Sequence, residues 1–485
     1  MNVLNNMRIF LQSIALITPF SNLAQGAMPP PEVDVVIIGA GLSGLHSAYA
    51  LKKAGLTYQI LELTPHKGGR VRTVTYELKD EKITADSGME EYWESNPAVE
   101  LLQEMKLPLQ SDTALSSLVL QKKINPLGNE SSTSYLTRIL GQSGLEALRA
   151  FKVKYSPLIK ELHTGASIDS KTLKLKEVSF SEWILNQHLP PLVSEWIRVS
   201  IECEIGTEWT QISALDGLAE FHIFLGNGDD GEKNYRILGG NEQFTDSLSE
   251  AIGQDHISLN TRVNRIVSQP GKGVSVFFLE QTQNISSVIQ AKYVISTIPL
   301  FRLFEIQFEP ALSDKKRQAI ASQGWGAYFK AHIFLPSIAE KFWNQKGNSL
   351  LPLLSDSPLG VIYNGNFDPQ SKTKILSLLI SGKDAEIFNM MPLDQVRIHL
   401  TDSLNHLWNG IQSMIQNMEF YRFHPRAIAA WPPRRSRFDA LSNEIRRPEN
   451  NIFLAGDFTE SSHSDGALIS SARAVKQILL IHPKN

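Results

Sequence analysis

The chain of 485 residues has a single cysteine, Cys203, and almost no net charge. One thiol excludes both an internal disulfide framework and a cysteine-rich zinc or iron–sulfur centre. The 47 basic and 50 acidic residues leave a net charge of −3, so no overall positive field attracts nucleic acid. With 42% hydrophobic residues, the chain has the composition of a globular protein and is long enough to bury a large core.

Long apolar runs are also scarce, and the one at the amino terminus is short. Arg8 precedes the mostly apolar residues 9–17, and small residues follow up to Ala27. This order is typical of a secretory signal peptide, and the run is too short to cross a membrane as a stable helix. We expect residues 1–27 to direct export to the periplasm or the exterior; without a working signal, the protein would be cytoplasmic.

The next segment has the pattern of a dinucleotide-binding unit. A β-branched run over 33–38 predicts a buried parallel strand and ends in Gly-Ala-Gly-Leu-Ser-Gly. A helical pattern over 45–54 and a second strand over 57–61 follow. In this context the glycines permit a tight turn and close approach of a pyrophosphate, and the acid after the second strand binds ribose hydroxyls. The predicted nucleotide contacts are Gly39, Gly41, Leu42, Ser43, Gly44 and Glu62.

A second glycine motif follows closely. Residues 68–73 read Gly-Gly-Arg-Val-Arg-Thr. This motif resembles the signature of the flavin amine oxidase superfamily, which includes monoamine, polyamine and L-amino-acid oxidases. The resemblance implies that the nucleotide is FAD, with Gly69 and Arg70 beside it. A guanidinium at this point would offset the diphosphate charge.

The resemblance extends along nearly the whole chain. It implies an α/β fold in which a Rossmann-like FAD-binding domain is interleaved with a mixed α+β substrate domain. Some monoamine oxidases of this superfamily attach FAD through a cysteine shortly before the last flavin-binding segment. The single cysteine here, Cys203, lies elsewhere, in a helical region, so the resemblance implies non-covalent FAD. The implied FAD-binding pieces are residues 33–100, 237–300 and 445–482, and the substrate-domain pieces are 101–236 and 301–444. Further implied cofactor contacts are Gly88, Met89, Val263, Gly456, Asp457, Gly466 and Ala467.

The resemblance also suggests catalytic residues. Amine oxidases of this superfamily place a lysine that holds a water near the flavin, after a glycine-rich turn, and Lys330 matches it. Its charge would favour negative charge developing on the flavin or on reduced oxygen. The segment that usually supplies an aromatic cage is shorter here and lacks Tyr and Trp. His463 either replaces the aromatic residue or matches a histidine that some relatives have just before it. Trp431 matches a tryptophan beside the flavin in relatives, with core packing as its alternative role.

The substrate class follows from charge. L-amino-acid oxidases carry an arginine shortly after the glycine that matches Gly88, whereas this chain has Glu90 and Glu91. Carboxylates there would suit a cationic amine, although they could instead cap the helix expected near 95–97. We expect oxidation of a primary amine or polyamine to an imine and aldehyde, with oxygen reduced to hydrogen peroxide.

Other functions remain open at this point. An L-amino-acid oxidase would need a carboxylate-binding arginine, for which positions 426, 434, 435 and 437 are candidates. A desaturase-like enzyme on an apolar substrate and a flavoprotein without catalysis are further alternatives. The sequence predicts no metal site and leaves the oligomeric state open.

Overall fold

A computed structural model describes residues 32–165, 168–269, 271–345, 348–356, 358–422 and 426–482. The expected signal segment, residues 1–27, lies outside these ranges. No helix within them is long and apolar enough to cross a membrane.

The strands are β1 (Glu32–Ile38), β2 (Tyr58–Leu61), β3 (Thr73–Glu77), β4 (Lys82–Asp86), β5 (Tyr92–Trp93), β6 (Leu109–Thr113), β7 (Ser117–Leu120), β8 (Lys123–Asn125), β9 (Lys233–Ile237), β10 (Ile257–Ser258), β11 (Thr261–Gln269), β12 (Gly273–Glu280), β13 (Ile285–Ser296), β14 (Gln307–Glu309), β15 (Gly324–Gly326), β16 (Tyr328–Pro336), β17 (Asn344–Gln345), β18 (Asn348–Ser349), β19 (Leu353–Leu354), β20 (Val361–Asn364), β21 (Thr373–Ser381), β22 (Asn417–Tyr421), β23 (Ile428–Ala430) and β24 (Ile452–Leu454). The helices are α1 (Leu42–Lys53), α2 (Ala98–Glu104), α3 (Ser132–His163), α4 (Ser170–Leu173), α5 (Phe180–Leu185), α6 (Pro191–Ile205), α7 (Ala214–Glu220), α8 (Glu242–Ile252), α9 (Leu300–Leu303), α10 (Asp314–Ala321), α11 (Gly382–Met390), α12 (Leu393–Leu407), α13 (Ala440–Arg446), α14 (Asp457–Glu460) and α15 (Ser464–Ile481).

The first sheet has the strand order β10-β2-β1-β13-β12-β11-β14, with β24 also paired to β13. Strands β10, β2, β1, β13 and β24 run parallel, as expected for a nucleotide-binding unit. Successive residues of β1 face opposite sides. Val35 and Ile37 pack in the core with α1, α8 and α15, whereas Val36 and Ile38 pack with β11, β12, α9 and α10. Burial on both faces explains the continuous β-branched run.

The second sheet has the order β22-β16-β21-β20-β19-β7-β8. Its strand β16 alternates in character, because Phe329, Ala331 and Ile333 pack in one core with α11 and α12. Residues between them, including Lys330 and His332, point to the opposite face. We call the face of the second sheet that carries Lys330 and His332 the polar face.

A helical layer formed by α3, α5, α6 and α7 covers a third core that includes Trp196 and Phe221. Helix α3 is interrupted at Gly141, whose φ is 75°. The α5 helix begins after Ser179, whose hydroxyl accepts a hydrogen bond from the Glu182 amide. In the expected substrate-domain piece 101–236, residues from 132 to 224 are mainly helical, and β6, β7 and β8 precede them.

Two strands cross the expected domain boundaries. Strand β14, residues 307–309, pairs with β11 and extends the first sheet beyond residue 300. Strand β9 pairs with both β5 and β6, which joins residues 109–113 to the segment at 233–237.

Candidate active site

Close backbone contacts shape the glycine turn between β1 and α1. Gly39 has a φ of 102°, and a Cβ atom on Gly44 would overlap the Gly39 carbonyl oxygen. Glycine is therefore required at both positions. Gly41 pairs with Gly68 in a short parallel bridge, and its own Cβ would lie 4.0 Å from the nearest atom, Gly69 Cα. The two glycine motifs thus meet at the amino end of α1.

The same turn holds several predicted nucleotide contacts. Glu62 Oε2 accepts a hydrogen bond from the Ala40 amide at 2.7 Å, which fixes the carboxylate beside the turn. Leu42 is buried in the core, while the buried Ser43 hydroxyl has no hydrogen-bond partner in the described part of the chain. No side chain caps α1. Its first amides are therefore available to an anion.

Arg70 and Asp457, both expected beside the diphosphate, bind each other. Arg70 Nη1 lies 2.9 Å from Asp457 Oδ2, and Nη2 lies 2.8 Å from Oδ1. Arg70 also donates to the Ala427 carbonyl, and Asp457 accepts the Ala429 amide at 3.3 Å. This two-bond pair offsets the guanidinium charge and joins the second glycine motif to the last turn of the first sheet.

Gly88 and Met89 lie against the same motif. The Met89 amide donates to the Arg70 carbonyl at 3.0 Å, and a Cβ on Gly88 would overlap that carbonyl oxygen. Val263, on β11, is 8% exposed. Gly456 has a φ of 144°, and a Cβ atom there would overlap the Phe458 ring. Arg70 thus lies in contact with two of the segments that the resemblance assigned to the flavin.

The amino end of α15 carries His463, Gly466 and Ala467. A Cβ on Gly466 would overlap the Ser461 carbonyl oxygen, and Ala467 is 8% exposed. His463 Nε2 lies 3.1 Å from Glu220 Oε2. Burial disfavours the charged imidazole, but the hydrogen bond and charge of Glu220 outweigh it and raise the pKa of His463 to about 9. His463 is therefore a cation held by an acid at neutral pH.

Lys330 projects from β16 into a buried ion pair with Glu90. Its ammonium also donates to the Gly88 carbonyl at 3.2 Å. Ser377 donates to Glu90 Oε1 at 2.9 Å, and Arg236 Nη2 donates to Oε2 at 3.0 Å. Burial alone would raise the pKa of Glu90, but the two cations outweigh burial and lower it. Glu90 is therefore an ionised carboxylate surrounded by donors.

These contacts correct two expectations for Glu90. Protein donors occupy both its oxygens, so it is not a free carboxylate for a substrate amine. It does not cap α2 either, because the Asn96 side chain accepts the Ala98 amide at 2.9 Å at that helix start. Sequence analysis missed Arg236 and Ser377, which are 146 and 287 residues away from Glu90 along the chain.

Glu91 has a different environment, together with Glu204, a residue of α6 that sequence analysis missed. The Tyr363 hydroxyl donates to Glu91 Oε1 at 3.4 Å. Burial, reinforced by the charge of Glu204, raises the pKa of Glu91 to about 8. Burial also raises the pKa of Glu204 to about 7, although His463 opposes that shift. Within the described ranges, neither carboxylate has an ion-pair partner, and both residues are partly exposed.

Trp431 lies in the interior. It is 0% exposed and packs in the core that includes Val36 and Ile38, while the Arg437 guanidinium lies 5.1 Å from its ring centre. This position corrects the assignment of Trp431 as a substrate contact and supports its alternative role in packing. A side chain without accessible area does not line a substrate space.

Of the four candidate carboxylate-binding arginines, two are paired with acidic side chains and two are exposed. Arg437 pairs with Asp216 and Glu220, and Arg435 pairs with Asp439. Arg434 and Arg426 are exposed.

A cavity of about 430 Å³ lies beside α15 and the end of α3. Glu220, Arg437, Asp465 and the stacked imidazoles of His163 and His222 line it. Lys330 and the glycine turn do not line it, whereas Ser461 and Asp465, at the amino end of α15, do.

Comparisons with known proteins agree with this arrangement. A family model described as flavin containing amine oxidoreductase matches residues 42–479. The chain belongs to this family. An L-amino-acid oxidase from Bothrops moojeni is 26% identical over 464 residues, covering 92% of this chain and 89% of that protein. A probable flavin-containing monoamine oxidase A from Dictyostelium discoideum is 24% identical, covering 92% and 97%.

Solved structures of flavin amine oxidases share the fold. Cyclohexylamine oxidase from Brevibacterium oxydans superposes with a TM-score of 0.71 at 20% identity, covering 92% of this chain and 99% of that one. Putrescine oxidase superposes with a TM-score of 0.70 at 19% identity, covering 93% and 100%. The predicted α/β fold with a Rossmann-like domain is confirmed.

As a flavin amine oxidoreductase, the protein is an FAD-dependent enzyme, and its glycine turn fits the cofactor. The unpartnered Ser43 hydroxyl, the uncapped first turn of α1 and the bare backbone of Gly41 and Gly69 suit a diphosphate. Glu62 is fixed where a ribose would be bound. Cys203 is buried in α6, and burial raises the pKa of its thiol, which agrees with the predicted non-covalent attachment.

Proposed function

We propose that this flavoenzyme oxidises a cationic amine, preferably a diamine or polyamine, to an imine, and transfers the electrons to oxygen to give hydrogen peroxide. The observation that carries the proposal is the pair of deep carboxyl groups, Glu91 and Glu204, neither of which forms an ion pair in the described structure. Both keep accessible area although protein surrounds them, as groups that line an internal space do. A bound ammonium would supply the missing charge.

Charge balance around the polar face supports this assignment. Asp86, Glu90, Glu91 and Glu204 are four carboxyl groups, whereas Lys330, Arg236 and His463 are the cations that act on them. Of these cations, His463 is already paired with Glu220. Without a ligand, some carboxyls keep protons, and burial raises the pKa of Asp86 to about 7. A cationic substrate would displace these protons and complete the balance.

The cofactor and the side chains of the site would have distinct roles in amine oxidation. When bound, FAD supplies the two-electron acceptor. Glu91, Glu204 and Tyr363 would hold and orient the amine, and Lys330 would stabilise negative charge that develops beside the cofactor. His463 would fix the amino end of α15 through Glu220 rather than replace an aromatic cage wall.

An L-amino-acid oxidase is the second candidate, favoured by 26–27% identity to L-amino-acid oxidases over 92% of this chain. The charge of the site argues against it, because a substrate carboxylate would face Glu91 and Glu204. Arg435 and Arg437 are already paired with acids.

Anaerobic reduction of the flavin distinguishes the candidates. Putrescine, a monoamine and a pool of L-amino acids are mixed separately with purified holoenzyme, and the visible flavin band is followed. We expect rapid bleaching by the diamine, slower bleaching by the monoamine and none by amino acids. Bleaching by amino acids alone would overturn the cationic-amine proposal. Peroxide release on admitting air then tests oxygen as the acceptor.

Variants of the two acids make the test specific. Glu91→Gln and Glu204→Gln should each raise KM for the diamine about tenfold or more, because each loses one ion pair in a site of low dielectric. The matched control is Glu208→Gln, on the loop after α6. Equal effects in all three variants would contradict the assignment of Glu91 and Glu204 to amine binding.

We also infer that the protein is exported. The support is the order of Arg8, an apolar run and small residues before the first strand. Amino-terminal sequencing of the protein from cells tests it; a mature chain that begins within residues 1–20 would contradict cleavage near Ala27.

A further inference from the structure

The Lys330–Glu90 pair is shielded from water. Both side chains are about 3% exposed. An ion pair at such depth is maintained only when further hydrogen bonds compensate the lost hydration. Here Ser377 and Arg236 donate to Glu90, while the Gly88 carbonyl accepts from Lys330. The carboxylate is thus held from three elements, β16, β21 and β9.

Other charged and titratable groups face the pair. Asp86, at the end of β4, raises the pKa of Lys330, and Arg236, on β9, lowers it. The Tyr363 ring centre is 6.0 Å from the ammonium, and Glu91 follows Glu90 directly. His332 is neutral, because burial lowers its pKa to about 3. Glu90 is therefore the group that provides the main counter-charge for Lys330.

Burial and Glu90 have opposite effects on the pKa of Lys330. Burial lowers the pKa of the Lys330 ammonium, and the Glu90 carboxylate counteracts that shift. Removing the carboxylate would leave burial unopposed, so the buried ammonium would lose its proton more readily.

We propose that Glu90 is a positioning residue that keeps Lys330 protonated and fixes its ammonium on the polar face, so that the lysine acts as a permanent positive charge rather than as a neutral base. The inference rests on the proposed function, in which Lys330 lies beside the flavin. A fixed charge there costs no reorganisation when negative charge develops on the reduced cofactor or on oxygen.

The test compares the midpoint potential of the bound flavin in holoenzyme variants across the range of about pH 6 to pH 9.5, in which a buried lysine without a counter-ion titrates. In Glu90→Gln, we expect the potential to fall below that of the wild type as pH rises through a new ionisation. That ionisation should be absent in Lys330→Met and in the Glu90→Gln/Lys330→Met double variant. Glu90→Asp should restore most of the wild-type profile.

Ser377→Ala provides a milder variant if Glu90→Gln does not fold. It removes one hydrogen bond and keeps both charges, so a smaller shift in the same direction is expected.

Superimposable potential–pH profiles for the wild type and Glu90→Gln, or for Ser377→Ala where it is the variant used, would overturn the role of Glu90. Unchanged potential and reduction rate in Lys330→Met would instead overturn the placement of Lys330 beside the flavin. Whether a diamine bleaches the flavin is measured independently of both results, so failure of the substrate assignment is distinguishable.

Discussion

Arg70 and Asp457 are 387 residues apart in the chain and form a two-bond ion pair. Asp457 is 3% exposed, whereas Arg70 keeps 37% of its side-chain area. The pair connects the turn after β2 with the turn after β24, two strands of the first sheet that pair with β1 and β13, respectively. Cofactor binding and the closure of the discontinuous domain are therefore expected to depend on each other.

Asp457→Asn should lower both the stability of the protein and its affinity for FAD. It removes one charge of a partly buried pair, so we expect unfolding free energy to fall by roughly 1–3 kcal/mol. Flavin affinity should fall with it, because the freed guanidinium loses its fixed position. Thermal melts of apoprotein and holoenzyme, with fluorescence titration of FAD, measure the two effects.

The control for this variant is Asp229→Asn, which breaks an ion pair with the more exposed Arg149. An exposed pair contributes about 0–1 kcal/mol, so this variant should retain FAD affinity and nearly all stability. Similar losses in both variants would contradict a special role for Asp457.

Alanine substitutions at two glycines of the turn, Gly44 and Gly41, should have different effects on folding and on FAD binding. Gly44→Ala places a methyl group on the Gly39 carbonyl and should prevent correct folding of the turn. Gly41→Ala meets no atom closer than Gly69 Cα at 4.0 Å, so the apoprotein should fold. Its methyl group should instead obstruct the diphosphate. A normal melting profile with lost FAD binding in Gly41→Ala is the expected signature, and normal FAD binding would argue against a diphosphate at this turn.

The sequence predicted the fold well, because glycine turns and strand–helix order depend on local backbone chemistry. The turn at Gly39 and Gly44 and the strand that carries Lys330 are of this kind. The roles of Glu90 and Trp431 could not be predicted, since they depend on neighbours far along the chain. Glu90 is held by Arg236 and Ser377, and no local pattern encodes such contacts.

Affinity for a permanent dication should depend on pH. A bis-quaternary ammonium compound keeps its charge at every pH and is not oxidised through an N–H group. Its binding requires ionised carboxyls, and the pKa values of Glu91 and Glu204 are raised to about 8 and about 7. Affinity should therefore rise about tenfold or more from pH 6 to pH 8.5. Calorimetric titration measures it.

Variants assign that pH dependence to the two acids. Each single variant, Glu91→Gln or Glu204→Gln, should remove one ionisation from the profile. In Glu204→Gln, the remaining ionisation of Glu91 should move to lower pH, because the charge of Glu204 raises the pKa of Glu91. An identical pH profile in the Glu91→Gln/Glu204→Gln double variant would show that other groups bind the cation.

The His463–Glu220 pair should make stability fall at alkaline pH. Glu220 raises the pKa of His463 from 6.5 to about 9, against the opposing effect of burial. A folded-state pKa above the unfolded value means that the stabilisation is complete below about pH 6.5 and is lost as pH rises through about 9. His463→Gln should therefore lower the melting temperature at pH 6, by an amount that corresponds to roughly 1–2 kcal/mol, and hardly at all at pH 9.5. His399→Gln, on the exposed side of α12, provides the control and should show no such pH-dependent difference. A constant difference between wild type and His463→Gln across this range would mean that packing, not the charge of His463, holds the amino end of α15.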